Sequence, residues 1–191
     1  MSPKLIIGIG NPGPEYAQTR HNIGWLFLDY LARQAGVDSF VFEKKFNAEI
    51  AKGTASIGGK ETSVILVKPY SFVNATGPVV AKLKNFYKVT SENIIVVQDD
   101  LDIAFGNFKL SFDKNSGGHQ GVESIIKSLK TKKFWRLRLG TQNIAYRKAH
   151  QQSSKKKDEL VRNIVLSTFS KKESETLKSL FKEALARLAQ K

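Results

Sequence analysis

The chain has 191 residues, 41% of them hydrophobic, no cysteine, and 31 Lys and Arg against 17 Asp and Glu. That length suits one domain with a core of its own, and the missing thiols exclude disulfides, cysteine nucleophiles and thiolate metal sites. A net charge of +14 points to a polyanionic partner, most often nucleic acid, with a solubility bias of the source proteome as the plainer alternative.

No apolar run approaches the roughly 18 residues of a membrane span, and Met1 leads straight into a strand without a signal peptide. A soluble cytosolic protein, free of membrane partners, is expected. The first strand begins at Lys4 and stops at a turn rich in Gly and Pro, from Gly8 to Pro14. Asn22, followed by Ile23, Leu26, Phe27, Tyr30 and Leu31, reads as a capped helix ending at Gly36. Strand end, loop and helix start therefore meet around Asn11, Tyr16, Arg20, His21 and Asn22, the kind of place where open α/β sheets carry their sites.

Residues 46–57 and 61–67 flank Gly58-Gly59 and predict a hairpin, closed by Lys68-Pro69. A loop over 70–74 precedes a helix that starts near Thr76 to Pro78, with Val79, Val80, Leu83, Phe86 and Tyr87 inward. Residues 93–98 form the clearest buried strand, which is expected to end at Asp99-Asp100-Leu101-Asp102. Residues 106–112 predict an edge strand, 113–121 a turn-rich loop, 122–129 a helix and 134–140 another strand. Residues 147–158 are polar and basic, and a mobile surface segment is expected there. Ser170 with Glu173 predicts a capping box for a last helix striped by Leu177, Leu180, Phe181, Ala184 and Leu188. Alternating strands and helices with one inserted hairpin make this an α/β chain of a single domain, three-layered, with a mixed, twisted central sheet and helices on both faces.

Gly8, Gly10 and Gly13 satisfy G-x-G-x-x-G after a strand, which admits a dinucleotide-binding oxidoreductase. The context opposes it, because Pro12 and Pro14 surround the third glycine and the helix waits until about residue 22. Three loops at strand ends hold Asn11 with His21, Asn74, and Asp99. A His backed by a carboxylate suits a general base, since the carboxylate fixes the tautomer and stabilises the imidazolium. With no cysteine and no G-x-S-x-G, such a base would act directly on water, and neutral Asn amides would serve an oxyanion or a peptide-like substrate. The plainer readings are a His21 bonded to backbone at a helix start and an Asp99-Asp100 pair in a solvated turn. A metal site of His21, His119 and an Asp is poor in ligands, and His150 reads as exposed. The basic residues cluster at Lys127, Lys130, Lys132, Lys133, Arg136 and Arg138, then Arg147, Lys148 and Lys155 to Lys157. The aromatics form no RNP-type set, so phosphate tracking is the expected mode.

Taken together, Gly-Ile-Gly-Asn-Pro-Gly from Gly8, Tyr16, Thr19-Arg-His-Asn22, Lys68-Pro69, Phe72, Asn74, Gly77, Asp99-Asp-Leu-Asp102, Gly117-Gly-His119 and Arg136-Leu-Arg-Leu-Gly140 resemble bacterial-type peptidyl-tRNA hydrolase, in order and spacing over nearly the whole chain. The resemblance implies hydrolysis, without cofactor or metal, of the ester joining a peptide to the 3′ end of tRNA, by a cytoplasmic monomer that recycles tRNA. It makes His21 the base, Asp99 the group that holds it, and Asn11 and Asn74 the peptidyl-binding amides. Tyr16 and Phe72 become pocket aromatics, and His119 and Gln120 substrate contacts or part of a gate over 106–121. The lysines and arginines at 127–138, with Arg147 and Lys148, become phosphate contacts. Two positions depart from the family pattern: Val73 stands where Met is usual, implying a smaller, stiffer pocket wall, and Gln120 where Asn is usual. The alternative is a catalytically silent RNA-binding module on the same fold.

Overall fold

The computed structural model describes residues 2–142, Tyr146 and residues 154–190, the side chains of 154–157 excepted. At its centre lies β1 (Lys4–Gly8), with β4 (Lys60–Pro69) on one side and β5 (Ile94–Ala104) on the other, both parallel to it. A strand with neighbours on both sides and helices on both faces has no solvated side, and Leu5, Ile6 and Ile7 are fully buried. Seven strands run in the order β2-β3-β4-β1-β5-β7-β6. β3 (Ala48–Ile57) and β2 (Val41–Glu43) extend one side antiparallel, while β7 (Trp135–Gln142) is parallel to β5 and β6 (Phe108–Phe112) is antiparallel to β7. The sheet is mixed, as the alternation of elements predicted. The β3–β4 turn has positive φ at both Gly58 and Gly59, 66° and 70°, the two-residue connection that matches strand twist.

Strand alternation sorts side chains into two cores. Ile6, Leu66, Ile95 and Val97 pack under α1 (Ile23–Ala35) and α5 (Lys171–Ala189). Ile7, Val67, Ile94 and Val96 pack under α2 (Thr76–Phe86) and α3 (Gln120–Leu129). The last helix has the expected cap: Ser170 Oγ accepts from the Glu173 N–H, and Glu173 Oε2 accepts from the Ser170 N–H. The other oxygen of Glu173 takes the buried Arg20 guanidinium at 2.7 Å, so the start of α5 is fixed to the residue beside His21.

Two glycines let α1 sit directly on the sheet. A Cβ on Gly24 would lie 2.5 Å from the Val97 carbonyl oxygen and 2.7 Å from that of Ile9, and one on Gly8 would meet the Gly24 carbonyl at 2.8 Å. The glycine-rich turn thus serves helix seating, and the helix begins only after a 3-10 turn at Arg20–Asn22.

Three expectations are corrected. Asn22 does not cap α1 with its side chain; its amide pairs instead with both backbone groups of Asn11, at 2.9 Å each. The strand expected to stop at Gln98 continues to Ala104, because β7 still offers a ladder after β1 has ended, pairing Asp99 with Leu139 and Asp100 with Gly140. Residues from 154 are not a mobile segment but α4 (Ser154–Val165), whose Ile164 is buried; 147–153 lie outside the described residues. The edge strand expected over 106–112 is present as β6, at residues 108–112. The short strand β2 had no sequence signal. Among the described residues no helix is long and apolar enough to cross a membrane.

Gly24→Ala should lower unfolding stability by about 1–3 kcal/mol, because backbone rather than flexible side chain must give way. The urea midpoint measures this, and an unchanged midpoint would show that α1 is not seated on the strands as described.

Candidate active site

β1 ends at Gly8, opposite Val97, and β5 runs on, so Asp99 stands where one flank of its strand has lost its neighbour. Two helix starts close over that gap. From the α1 side, the 3-10 turn brings His21 Nδ1 to 2.8 Å from Asp99 Oδ1. From the α3 side, His119 brings Nε2 to 2.9 Å from the same oxygen. The two imidazole centroids lie 5.4 Å apart. Expectation and structure agree that His21 and Asp99 meet; the second imidazole was not foreseen as a partner of the acid.

Burial alone would push the Asp99 carboxyl upward, but the two imidazoles and their hydrogen bonds outweigh it and hold the group well below the usual carboxylate range. An ionised Asp99 can only accept, so His21 donates from Nδ1 and keeps its lone pair on Nε2. Burial likewise works against the His21 imidazolium, yet the charge of Asp99 and the bond to it leave His21 above the ordinary 6.5. Asp99 thus favours the form in which a proton has been taken up, as a base requires.

The amides are unequal. Asn11 is buried and its Oδ1 accepts the Val73 N–H at 3.0 Å, so its Nδ2 is the group left for a ligand, a donor only. That engagement also fixes which end of the amide is which. Asn74 is exposed, and its amide has no hydrogen-bond partner among the described residues. Tyr16 meets the 59% exposed Phe72 edge to face at 6.4 Å. Val73 is core rather than pocket wall: it is buried with Ile9 and Val122 beneath α2 and α3.

A cleft of about 510 Å³ adjoins the imidazoles. Gln120 lines it, together with Asp102 of β5, Tyr146, and Asp158, Val161 and Arg162 of α4. The α4 wall escaped sequence reading because lysines dominate its start, although Leu160, Val161, Ile164 and Val165 recur at helical spacing. His119 is engaged at both nitrogens, since its Nδ1 accepts from the Gly121 and Val122 N–H groups at the start of α3. It is not available as a hydrogen-bonding substrate contact. The helix begins two residues earlier than the sequence pattern suggests, at Gln120, which makes His119 its N-cap residue.

The basic set divides. Lys127, Lys130, Lys132 and Lys133 are exposed. Arg136 is not a phosphate contact: it is 2% exposed, bonded to Gln98 at 2.8 Å and to the Asn115 and Ser116 carbonyls, and burial, with the nearby charge of Arg138, brings it down to about 10. Its work is to tie the glycine loop to the sheet. Arg138 is half-buried and paired with Asp100 at 2.7 Å. Arg147 and Lys148 lie outside the described residues, as does His150.

His21, Asp99 and His119 are the one cluster among the described residues whose ligand atoms converge, within 4.8 Å. A metal would need the lone pair of His119 Nε2. That nitrogen must carry the ring proton, because Nδ1 already receives two backbone N–H groups, so the donor set does not fit an ion.

The sequence profile described as peptidyl-tRNA hydrolase matches residues 5–190. A curated peptidyl-tRNA hydrolase of Aquifex aeolicus is 41% identical over 97% of this chain and 88% of its own length. That of Neisseria meningitidis is 47% identical over 72% of this chain and 69% of its own. The crystal structure of peptidyl-tRNA hydrolase from Acinetobacter baumannii aligns with all of this chain and 90% of that one, with TM-score 0.84 and 31% identity.

The paired shifts fix a pH window. The raised His21 contributes stability fully below its ordinary 6.5 and loses it as pH rises through the folded value; the lowered Asp99 contributes above 3.8 and loses it as pH falls. Asp99→Asn should therefore drop the His21 titration midpoint by about one pH unit or more, read by NMR. A midpoint unmoved by that change would contradict the pair.

Proposed function

The chain belongs to the peptidyl-tRNA hydrolase family and hydrolyses peptidyl-tRNA, and we propose that His21 is the base of that reaction, held by Asp99. The observation that carries this reading is the 2.8 Å bond from His21 Nδ1 to the buried carboxylate. With Nδ1 committed, Nε2 takes a proton from water, and the hydroxide adds to the ester carbonyl carbon. The bond to the ribose 3′ oxygen then breaks, and Nε2 returns its proton to that oxygen. The chain has no cysteine to form a thioester, and a base paired with a carboxylate needs no covalent intermediate. The same pairing favours turnover over a silent RNA-binding role.

Asn11 and Asn74 receive the peptidyl part. As a donor, Asn11 Nδ2 complements a peptide carbonyl and gives nothing to the α-ammonium of an unblocked aminoacyl group, which would be desolvated without an acceptor. Tyr16 and Phe72 supply the apolar wall, and Gln120 a polar contact from the start of α3. Lys127, Lys130, Lys132 and Lys133 hold phosphates, with Arg147 and Lys148 assigned the same role from sequence. A helix of ten residues is about 15 Å long, so the lysines past the end of α3 would engage the tRNA stem well away from its reacting 3′ end. The chain works as one domain, a monomer in the cytoplasm, where abandoned translation products arise.

His21→Asn should lower kcat by about 10²–10⁴-fold while tRNA affinity stays within about twofold, since the base acts on water and not on phosphate. Near-normal turnover would remove His21 from the role. If four lysines each neutralise one phosphate, raising salt from 50 to 200 mM should weaken substrate capture by about 10²-fold and leave kcat nearly unchanged. A flat response of KM would count against the lysine surface.

A further inference from the structure

His119 has the geometry of a residue that works through another. Backbone N–H groups of Gly121 and Val122 approach its Nδ1 at 3.2 and 3.4 Å, and an N–H can only donate. The ring proton therefore sits on Nε2, which donates to Asp99 Oδ1 at 2.9 Å, while His21 donates to the same atom at 2.8 Å. Both lone pairs of one oxygen are engaged, by rings carried on elements from opposite faces of the sheet.

We propose that His119 is a positioning residue of the hydrolytic site: anchored by the start of α3, it locks the Asp99 carboxylate in the orientation that meets His21 and, by sharing one oxygen, limits how firmly that acid holds His21 as imidazolium. The inference rests on His21 being the base. A base gripped too tightly in its protonated form is idle at neutral pH, and one left without a partner is mobile and weak. Division of Asp99 Oδ1 between two donors sets the balance. The anchor makes the division rigid, because the backbone of α3 fixes the tautomer and leaves the ring no second orientation that satisfies both ends. Other ionisable side chains around the cleft are Asp100, Asp102, Tyr146, Asp158 and Arg162, with Asp100 paired to Arg138, and the variants below leave all of them in place.

Two substitutions separate the roles of the ring. His119→Asn puts an amide oxygen where Nδ1 stood, preserving the helix cap while removing the bond to Asp99. His119→Gln keeps a donor at the reach of Nε2 and gives up the cap. In the full chain, the His21 midpoint by NMR and the acid limb of kcat/KM should both move up by about half to one pH unit in His119→Asn. In the same variant kcat should fall about tenfold, with KM for peptidyl-tRNA within twofold. His119→Gln should bring the midpoint back toward that of the parent. A His21 midpoint that stays put in His119→Asn, or a loss confined to KM, overturns the proposal. If the midpoint moves and the acid limb does not follow, the coupling stands and the assignment of His21 as the base falls.

Discussion

A single buried carboxylate oxygen organises this molecule. Placing the charge of Asp99 in a nearly closed site is unfavourable unless donors surround it, and the two that do so belong to different layers. His21 arrives ahead of α1 and His119 ahead of α3, so the requirement on one atom becomes a requirement on how both helices meet the sheet. The glycine contact between α1 and β1 satisfies the first. Arg136 satisfies the second, since its guanidinium holds the carbonyls of Asn115 and Ser116 just before His119.

Much of the architecture was legible because local and tertiary demands coincide there. The apolar run of β1, the Gly58-Gly59 turn and the Ser170–Glu173 cap each state one structure by themselves. Reading failed where pairing overrode local preference. Asp99 to Asp102 look like a turn, yet β7 continues the ladder through them. Asn22 looks like a cap, yet its amide does more by replacing the strand partner that Asn11 lacks once β1 has ended. At the site, the pairing of His21 with Asp99 was legible from residue types in loops that follow strands. The double engagement of His119 was not, since it depends on α3 and β5 arriving together, which no spacing along the chain encodes.

Positive charge is used in two ways that composition cannot separate. Arg20 and Arg136 are interior braces, their donors aimed at Glu173, Ser167, Gln98 and loop carbonyls. A planar guanidinium with several donors suits that task, whereas the ammonium of an exposed lysine suits a mobile phosphate. The excess of +14 therefore overstates the positive charge that faces solvent, whereas the lysines from 127 to 133 are exposed.

The bond between Arg20 and Glu173 joins residues 153 positions apart. In synthesis order the turn that carries His21 leaves the ribosome long before α5, yet its buried guanidinium waits for the counter-ion that α5 supplies. A half-made copy would hold every side chain of the proposed dyad and still lack the brace that keeps the turn in place. Competence to release stalled products is in this way deferred until the residues that open α5 have themselves been synthesised.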